Sequence, residues 1–236
     1  EALYRYQRLL SQRNHLLKQP DNLSNRSLLE TMDQELSKPG ALILAYRLCF
    51  LPSLGRCLRK YFGELAQAET ELSMRYASSL TAAPNTLTAL NAAEDPKQTV
   101  SKVYESLCLN FLKALYNLRT VDRHKGVTTI GPQRDDLVFR LEGKNLRQFG
   151  SQGQQRSMVL ALRLSELELM HQFLRQRPVL LLDDVFSELD AKRCAALLNL
   201  FNLENQVFIT TANKEYLPAP VAAKAVFYQI RAGFIS

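Results

Sequence analysis

The sequence predicts an α/β protein with a helical part, residues 1–120, followed by a part with a mostly parallel sheet, residues 121–236. Two observations carry this prediction. Apolar residues in the first part recur at intervals of three and four, the period of a helix with one buried face. In the second part short apolar runs alternate with helical patterns, and this strand–helix–strand order is typical of parallel strands.

The helices predicted in the first part cover residues 2–18, 26–37, 41–76 and 98–120. Ser27 and Glu30 form the capping-box pattern of the second helix, and Pro39-Gly40 is expected to end it. Residues 78–97, rich in small and polar side chains, are interpreted as a loop or partial helix at a domain junction. Three helices with short links and few strand signals are interpreted as a helical arm or hairpin domain. Heptad-like spacing is present, but it is too short and irregular for a long coiled coil.

The strands predicted in the second part cover residues 127–130, 137–141, 179–182, 207–211 and 226–230. The second strand is expected to end in a turn at Glu142-Gly143. The third is a continuous apolar run, as expected of a parallel strand that is covered on both faces. A helix over residues 191–201 separates the third strand from the fourth and completes a βαβ unit.

Composition limits the function classes only weakly. The formal charge of +7 and a pI near 9.3 favour a polyanionic partner such as nucleic acid, although ordinary surface bias explains the same values. No apolar run approaches the roughly 20 residues of a membrane span, and a chain that starts at Glu1 is expected to be a fragment or a processed form. The four cysteines lack CxxC spacing and are interpreted as free thiols of a reducing cytosol. The three histidines show neither zinc-ligand nor catalytic-triad spacing.

A glycine- and glutamine-rich loop, residues 150–155, opens directly into a long helical pattern. The start of a helix offers unpaired backbone N–H groups and the positive end of a dipole, which favour an anion. Gly153 gives such an anion room, and the Ser151 hydroxyl has a proton to donate. The alternative interpretation is an ordinary serine N-cap with glutamines on a solvated surface.

Two adjacent aspartates, Asp183 and Asp184, end the apolar run of the third strand. Open α/β sheets bind ligands at the carboxyl ends of their strands, so carboxylates at this place are candidates for a nucleotide site. Asp183 is suited to holding Mg²⁺ through water, and Asp184 to orienting or deprotonating an attacking water. A turn or helix cap is the structural alternative, and Asp190 is expected to cap the next helix in any case.

Together these motifs resemble ABC-type ATPases of the SMC-like branch, and within that branch the RecF family of bacterial DNA replication and recombinational repair. The resembling segments are TTIGPQRDDLVFRLEGKNLRQFGSQGQQRS, LLLDDVFSELD and VFITTAN, in family order. The stretch YRYQRLLSQRNHLLK, with MDQELS, resembles the family's helical arm. The implied fold is a helical arm domain over residues 1–120, followed by the C-terminal lobe of a P-loop (ABC/SMC-like) ATPase over residues 121–236.

The resemblance also implies roles for individual residues. It makes Asp183 the Walker B aspartate that holds Mg²⁺ and Asp184 the catalytic carboxylate. The signature loop, which binds the γ-phosphate of an ATP held by the partner subunit, is implied to be Ser151, Gln152, Gly153 and Gln154. The D-loop, which crosses the dimer interface, is implied to be Ser187, Glu188, Leu189 and Asp190. A family-typical segment contains three residues without a role derivable from the sequence, namely Arg134, Asp135 and Asp136.

The sequence departs from the ABC pattern in three ways. Gln152 replaces the second glycine of transporter signature loops, and Ala212 stands at the switch position where this family usually has threonine. The phosphate-cradling pattern G-x-x-x-x-G-K-[ST] does not occur in the sequence. We therefore expect an N-terminal ATPase lobe to be missing from this chain. The chain alone is expected to bind ATP poorly and to be inactive, whereas the full-length dimer is expected to be a weak ATPase.

The function that the resemblance implies is that of a cytoplasmic DNA-binding ATPase that forms a homodimer with ATP and Mg²⁺. It is expected to act at gapped or single-strand/double-strand junction DNA, with RecR and RecO, in loading RecA. Two alternatives stay open. One is a nucleotide-incompetent module that binds protein or DNA. The other is a different SMC-like ATPase, which the short arm disfavours because long coiled coils need sustained heptads.

Overall fold

The structure is a computed structural model, and it describes residues 1–66, 71–80, 96–174, 178–187, 189–200, 206–231 and 234–235. The chain folds into two compact units. Unit 1 comprises Glu1–Arg56 and Leu72–Arg140, and unit 2 comprises Cys57–Glu71 and Leu141–Ser236. The division into arm and lobe after residue 120 stays a prediction, because packing into compact units does not test which residues act as an arm.

The helices of the described residues are α1 (Ala2–Leu17), α2 (Leu23–Ala66), α3 (Pro96–Asn117), α4 (Arg119–Lys125), α5 (Leu146–Phe149), α6 (Gln152–Leu174), α7 (Ala191–Leu200) and α8 (Ala219–Ala222). The strands are β1 (Leu72–Ala77), β2 (Asp136–Leu141), β3 (Lys144–Asn145), β4 (Leu180–Asp183), β5 (Val207–Thr210), β6 (Ile230–Arg231) and β7 (Phe234–Ile235). Apart from terminal residues, the predicted helices over 2–18 and 191–201 are confirmed. The predicted strands over 137–141, 179–182 and 207–211 are confirmed to the same degree. Most of the predicted junction over 78–97 lies outside the described residues.

The predicted break at Pro39-Gly40 is wrong, because α2 runs through both residues and through Pro52. A proline inside a helix loses a backbone hydrogen bond and costs about 3 kcal/mol. Burial on both sides of the pair offsets this cost, since Leu36 and Ala41 are fully buried. Gly40 contributes as well, because the ring of Phe111 lies where a Cβ on Gly40 would stand. Tertiary packing therefore overrides the local stop signal.

The third predicted helix is also too long at its far end. It is expected to reach Tyr76, but α2 ends at Ala66 and Leu72–Ala77 forms β1. Strand β1 neighbours β2 in one sheet. The alternation of apolar Leu72, Met74 and Tyr76 with polar residues is a period of two, and it indicates a strand rather than a helix.

A continuous cluster of buried side chains forms the core of unit 1. Its members on α1, α2, α3 and the neighbouring loops are Tyr6, Leu36, Ala41, Leu44, Ala45, Leu48, Leu80, Val100, Val103, Leu107, Phe111, Leu115 and Ile130. On α3 the buried members from Val103 to Leu115 recur every four residues, so the helix buries one face.

A buried ion network joins α1, α2 and α4 in unit 1. Arg13 is fully buried, and its Nε donates to Asp33 at 2.6 Å while its Nη1 donates to Asp122 at 2.8 Å. Both carboxylates are fully buried too. Arg119 donates from Nε to the second oxygen of Asp33 at 2.7 Å. An uncompensated buried charge is strongly destabilising, so each partner holds the helix of the others in place.

The predicted strand over residues 127–130 is wrong, because this segment is an irregular loop. The backbone N–H of Thr128 donates to Oδ1 of Asn14 at 2.8 Å, and that of Thr129 donates to Oδ1 of Asp122 at 2.9 Å. Side chains thus accept the N–H groups that a sheet ladder would use. The β-rich composition of the segment does not produce a strand here, because these side chains, one of them far away in the sequence, take its N–H groups.

Asp135 anchors the loop that runs from Gly131 to β2. Its Oδ1 accepts hydrogen bonds from the backbone N–H of Ser79 at 2.6 Å and from the Ser79 hydroxyl at 2.8 Å. Its Oδ2 accepts the hydroxyl proton of Tyr76, and burial together with this bond raises the pKa of Tyr76. Arg134 is exposed and donates from Nε to a backbone carbonyl at 3.2 Å, and Asp136 begins β2. Asp135 therefore has a structural role that the sequence alone did not reveal.

The parallel pair β4–β5 organises unit 2. Asp183 lies opposite Thr210 in the register of this pair, and α7 lies between the two strands in the chain. The predicted βαβ unit is therefore confirmed. The fifth predicted strand is largely wrong, because within the described residues only Ile230 of that run lies in a strand, β6, which pairs antiparallel with β7. Residues 226–229, which are exposed, are not part of a strand.

Within the described residues, α2 alone has a window long and apolar enough to cross a membrane by length and composition. The window has a mean hydropathy of 1.4, and 44% of it is buried in the fold. The prediction from apolar run length was therefore too simple. A core helix passes the same test, and Ala41, Leu44 and Leu48 of α2 belong to the core of unit 1.

Replacing Arg13 by alanine is expected to lower the free energy of unfolding by about 3–5 kcal/mol, because Asp122 and Asp33 lose a buried partner. Urea unfolding followed by circular dichroism measures the change. Arg5→Ala is the matched control, since it removes an arginine from the exposed pair with Glu35, and it is expected to cost about 1 kcal/mol or less. Equal losses in the two variants would contradict the role of Arg13.

Candidate functional site

The predicted signature loop lies at the start of α6. Ser151 is the N-cap residue, since its Oγ accepts the backbone N–H of Gln154 at 3.2 Å. The Gln154 side chain in turn accepts the backbone N–H of Ser151 at 2.9 Å, which completes a capping box. The hydroxyl proton of Ser151 is not used in this arrangement. The N-cap interpretation is thus confirmed, and nucleotide binding by this loop stays a prediction.

Gln155 fixes the turn that leads into α6. Its Nε2 donates to the carbonyl of Gly150 at 3.1 Å and to the carbonyl of Arg147 at 3.3 Å. These carbonyls belong to the short helix α5 and its end, so one side chain holds the approach to the loop.

Further along α6, the Tyr61 hydroxyl donates to Glu168 at 2.7 Å and holds the pKa of that carboxyl below its usual range.

Asp183 and Asp184 lie at the carboxyl end of β4, as predicted. Thr210, the register partner of Asp183 on β5, donates its hydroxyl proton to Oδ1 of Asp183. The backbone N–H of Asp184 donates to the carbonyl of Thr210 at 3.1 Å, so the parallel pairing continues to this residue. Both carboxylates are exposed. The structure therefore holds the orientation of Asp183 through a residue of the neighbouring strand.

Asp184 has an unusual backbone conformation, with φ at 48°. This is the left-handed region, which costs most residues free energy but is tolerated better by aspartate and asparagine. Residues in this conformation occur in turns, as Glu142 does here, and they also cluster at ligand and catalytic sites. The conformation turns the chain sharply away from β4 into the turn Val185–Ser187.

The predicted D-loop lies only partly within the described residues. Glu188 is outside them, and Ser187 ends the turn after Asp184. Asp190 caps α7 as predicted, because its Oδ1 accepts the backbone N–H of Arg193 at 2.9 Å. Its Oδ2 accepts a second bond, from Nη1 of Arg193 at 2.7 Å. Asp190 thus holds both the backbone and the guanidinium of Arg193.

The guanidinium of Arg193 also lies against Gly153 of the predicted signature loop. A Cβ on Gly153 would stand 2.8 Å from Nη1 and 3.0 Å from Nη2 of Arg193. The guanidinium therefore covers the first turn of α6 at the position where the sequence has no side chain. This contact brings together two predicted motifs that are separate in the sequence.

A groove of about 590 Å³ connects the motifs within unit 2. Its wall runs from Gln152 at the start of α6 to Asp183 at the end of β4, and Leu189 of the predicted D-loop lines it as well. Much of the wall is apolar, and Leu181 is 72% exposed there. The predicted signature loop, the predicted Walker B aspartate and the predicted D-loop thus border one open surface.

Among the described residues, no group of three or more His, Cys, Asp or Glu side chains is arranged to hold a metal ion. A magnesium–nucleotide site does not require such a group, because Mg²⁺ is usually held by one or two carboxylates, waters and substrate phosphates. Asp183 fits this pattern. The four cysteines, all within the described residues, are not joined in disulfides. Burial raises the pKa of the Cys194 thiol, so it is not activated as a nucleophile.

No protein-family model matches the chain. It is 33% identical over 230 residues to the DNA replication and repair protein RecF of Bacillus velezensis, an alignment that covers 97% of this chain and 58% of the relative. It is 34% identical over 241 residues to the RecF of Lactobacillus acidophilus, covering 100% and 60%. A solved structure of the recombination mediator protein RecF-ATPrS in the RecFOR pathway has a TM-score of 0.74, with 29% identity over 99% of this chain and 57% of that one. The resemblance to RecF is confirmed.

A second RecF structure, described as RecF-ATP, has a TM-score of 0.73 at 27% identity, over 100% of this chain and 57% of that chain. The chain spans about three fifths of the length of these curated RecF relatives, which fits the expected likeness to the C-terminal part of the family. The match confirms the predicted fold class, a helical part followed by a lobe of an ABC/SMC-like ATPase that contains parallel strands.

The predicted site residues do not include Thr210 or Arg193. Alignment of the two predicted strands at their carboxyl ends places Thr210 opposite Asp183. The RecF-like segment VFITTAN could therefore have indicated Thr210 as a site residue. The spacing of Asp190 and Arg193 is the signal for the second, because residues three apart on a helix are neighbours. Neither signal identifies the contact with Gly153, which depends on the tertiary fold.

Replacing Ser151 by alanine is expected to lower the free energy of unfolding by about 1 kcal/mol, because the Gln154 N–H loses its capping acceptor. Thermal or urea unfolding measures this loss. Gln152→Ala, at the exposed first position of the same helix, is the control and is expected to change stability little. A loss that is no larger for Ser151→Ala than for the control would show that the capping box contributes nothing.

Proposed function

We propose that the full-length protein is a DNA-binding ATPase of recombinational repair that closes into a dimer when it binds ATP. The observation that carries the proposal is the aspartate pair, Asp183 and Asp184, at the carboxyl end of a parallel strand, where Asp183 lines one groove with the loop that starts α6. Ligands of open α/β sheets bind at this end of the strands. The solved relatives, described as RecF-ATP and RecF-ATPrS, support ATP as the nucleotide.

Asp183 is proposed to hold Mg²⁺, with Thr210 fixing the carboxylate in place. Bound Mg²⁺ would neutralise charge that develops on the transferred phosphoryl group. Asp184 follows directly and is exposed at the same strand end. We assign it the role of orienting the attacking water and accepting its proton.

The loop Ser151–Gln154 is proposed to serve the nucleotide of the partner subunit. It lies exposed or half-buried at the start of α6, and the capping box uses the backbone N–H groups of Ser151 and Gln154. The N–H groups of Gln152 and Gly153 between them are the proposed donors to a phosphate that arrives from outside the chain. The Ser151 hydroxyl proton adds a further donor. The D-loop, Ser187–Asp190, borders the same groove through Leu189 and would cross the interface. A two-fold dimer then contains two sites, each built from both subunits.

The proposed substrate of the dimer is gapped or single-strand/double-strand junction DNA, and the proposed partners are RecR and RecO, with RecA as the loaded recombinase. The curated relatives are named as DNA replication and repair proteins, and a solved relative as a mediator in the RecFOR pathway. The formal charge of +7 favours a polyanion, since basic side chains release counterions from the phosphate backbone. A cytoplasmic location follows from this substrate.

Ser151→Arg in the full-length protein is expected to abolish ATP-dependent dimerisation, because the long side chain occupies the space for the partner's γ-phosphate. Asp184→Asn is expected to dimerise normally and to stay dimeric longer, since an amide cannot accept a proton from water. Gel filtration with and without ATP measures both. Gln172→Arg adds the same side chain at the exposed far end of α6 and is the matched control. Normal dimerisation of Ser151→Arg would overturn the proposal in favour of a nucleotide-independent binding module.

Thr210→Val is expected to raise the Mg²⁺ concentration for half-maximal ATP hydrolysis by roughly 10–100-fold, because Asp183 loses the donor that orients it. Magnesium titration of hydrolysis by the full-length protein measures the effect. Thr211→Val is the control, since the Thr211 hydroxyl donates to the carbonyl of Asn213 instead. If both variants need the same Mg²⁺ concentration as the unmodified protein, Asp183 does not hold the ion in the proposed way.

A further inference from the structure

We propose that Arg193 is a positioning residue that couples the D-loop to the signature loop within one subunit. Asp190 holds its guanidinium at 2.7 Å, and the guanidinium packs on Gly153. In this arrangement a displacement of Asp190 at the dimer interface is passed to the loop that receives the γ-phosphate. The inference rests on the proposed nucleotide-driven dimerisation and adds a residue and a route by which the composite site is assembled.

Helix stability does not explain the position of Arg193. It lies in the first turn of α7, and its guanidinium lies on the first turn of α6, so it faces the positive ends of two helix dipoles. A cation is disfavoured at either place. Asp190 supplies one compensating charge. An anion at the start of α6 would supply a second, and the γ-phosphate of the partner's nucleotide is the anion that the proposed function brings there.

The hydrogen bonds of Arg193 are incomplete within the described residues. Nη1 is bound to Asp190, whereas Nε is buried without a hydrogen-bond partner. A buried donor without an acceptor is costly, and such groups are uncommon outside functional or strained places. The side chain is 27% exposed, so its guanidinium is packed in place rather than extended into solvent. Both observations favour a fixed position at the loop.

The absence of a side chain at position 153 makes this contact possible. The φ of Gly153 is not in the left-handed region, so backbone conformation does not demand glycine here. A Cβ would instead stand within 2.8 Å of Nη1 of Arg193. Because the nearest atom is the end of a flexible side chain, Gly153→Ala displaces the guanidinium rather than the helix. Glycine at this place is therefore explained by the approach of Arg193.

The test is the ATP concentration at which the full-length protein is half dimeric, measured by light scattering. Arg193→Ala is expected to raise this concentration at least about fivefold, the lower end of typical coupling between sites. Arg193→Lys is expected to recover part of the loss, because lysine keeps the charge but lacks the planar fork. Arg26→Ala, which removes an exposed arginine from a pair with Asp21, is the control. It is expected to become half dimeric at the same ATP concentration as the unmodified protein.

A double-mutant cycle separates coupling from general damage. Gly153→Ala is expected to cause a loss similar to that of Arg193→Ala, and the double variant no more than either alone, because both break one contact. Should Arg193→Ala lower the unfolding midpoint, Asp190→Asn gives the same test, since asparagine keeps the helix cap but weakens the ion pair. It is expected to produce the same shift in ATP concentration.

The outcomes distinguish this inference from the proposed function. Suppose that Ser151→Arg abolishes dimerisation, while Arg193→Ala and Asp190→Asn become half dimeric at the same ATP concentration as the unmodified protein. The coupling is then overturned and the composite site stands. Additive losses in Gly153→Ala and Arg193→Ala overturn the coupling as well. If Ser151→Arg leaves dimerisation unchanged, both proposals fall.

Discussion

The burial of one guanidinium, that of Arg13, is the constraint on which unit 1 depends. A charge in a dry interior must be paired, and its partners Asp33 and Asp122 come from two other helices. The pairing therefore specifies how α1, α2 and α4 meet, which apolar packing alone does less sharply. Asp122 also accepts backbone and hydroxyl protons of Thr129, so the network extends into the loop ahead of β2.

A few interactions likewise position the candidate site in unit 2. The one-to-one register of the parallel pair places Thr210 beside Asp183, and a slip by one residue would turn the side chains of that strand to the other face. The cap of α6 and the cap of α7 then orient the two remaining motifs. Main-chain geometry thus sets most of the site, and a few polar side chains, chiefly Thr210 and Arg193, hold it.

The parts predictable from the sequence are those whose cause is local. The pattern VLLLDD predicts both strand β4 and its exposed carboxylates, and the serine and aspartate caps are set by residues three positions apart. The predicted helix end at Pro39-Gly40 is wrong because Phe111, far along the chain, packs on that glycine. The predicted strand at residues 127–130 is wrong because the Asn14 side chain accepts a hydrogen bond from one of its backbone N–H groups. The contact of Arg193 with Gly153 has no local cause and no sequence signal.

The left-handed backbone of Asp184 bears on the kind of acid that can stand there. In ABC ATPases generally this position is often glutamate, and here the short carboxylate stays close to its own main chain. Aspartate and asparagine accept such a φ more readily than longer or β-branched side chains do. Aspartate at this position is then explained by conformational tolerance as much as by the acidity that its proposed role requires. The local backbone therefore restricts which acidic side chain this strand end can carry.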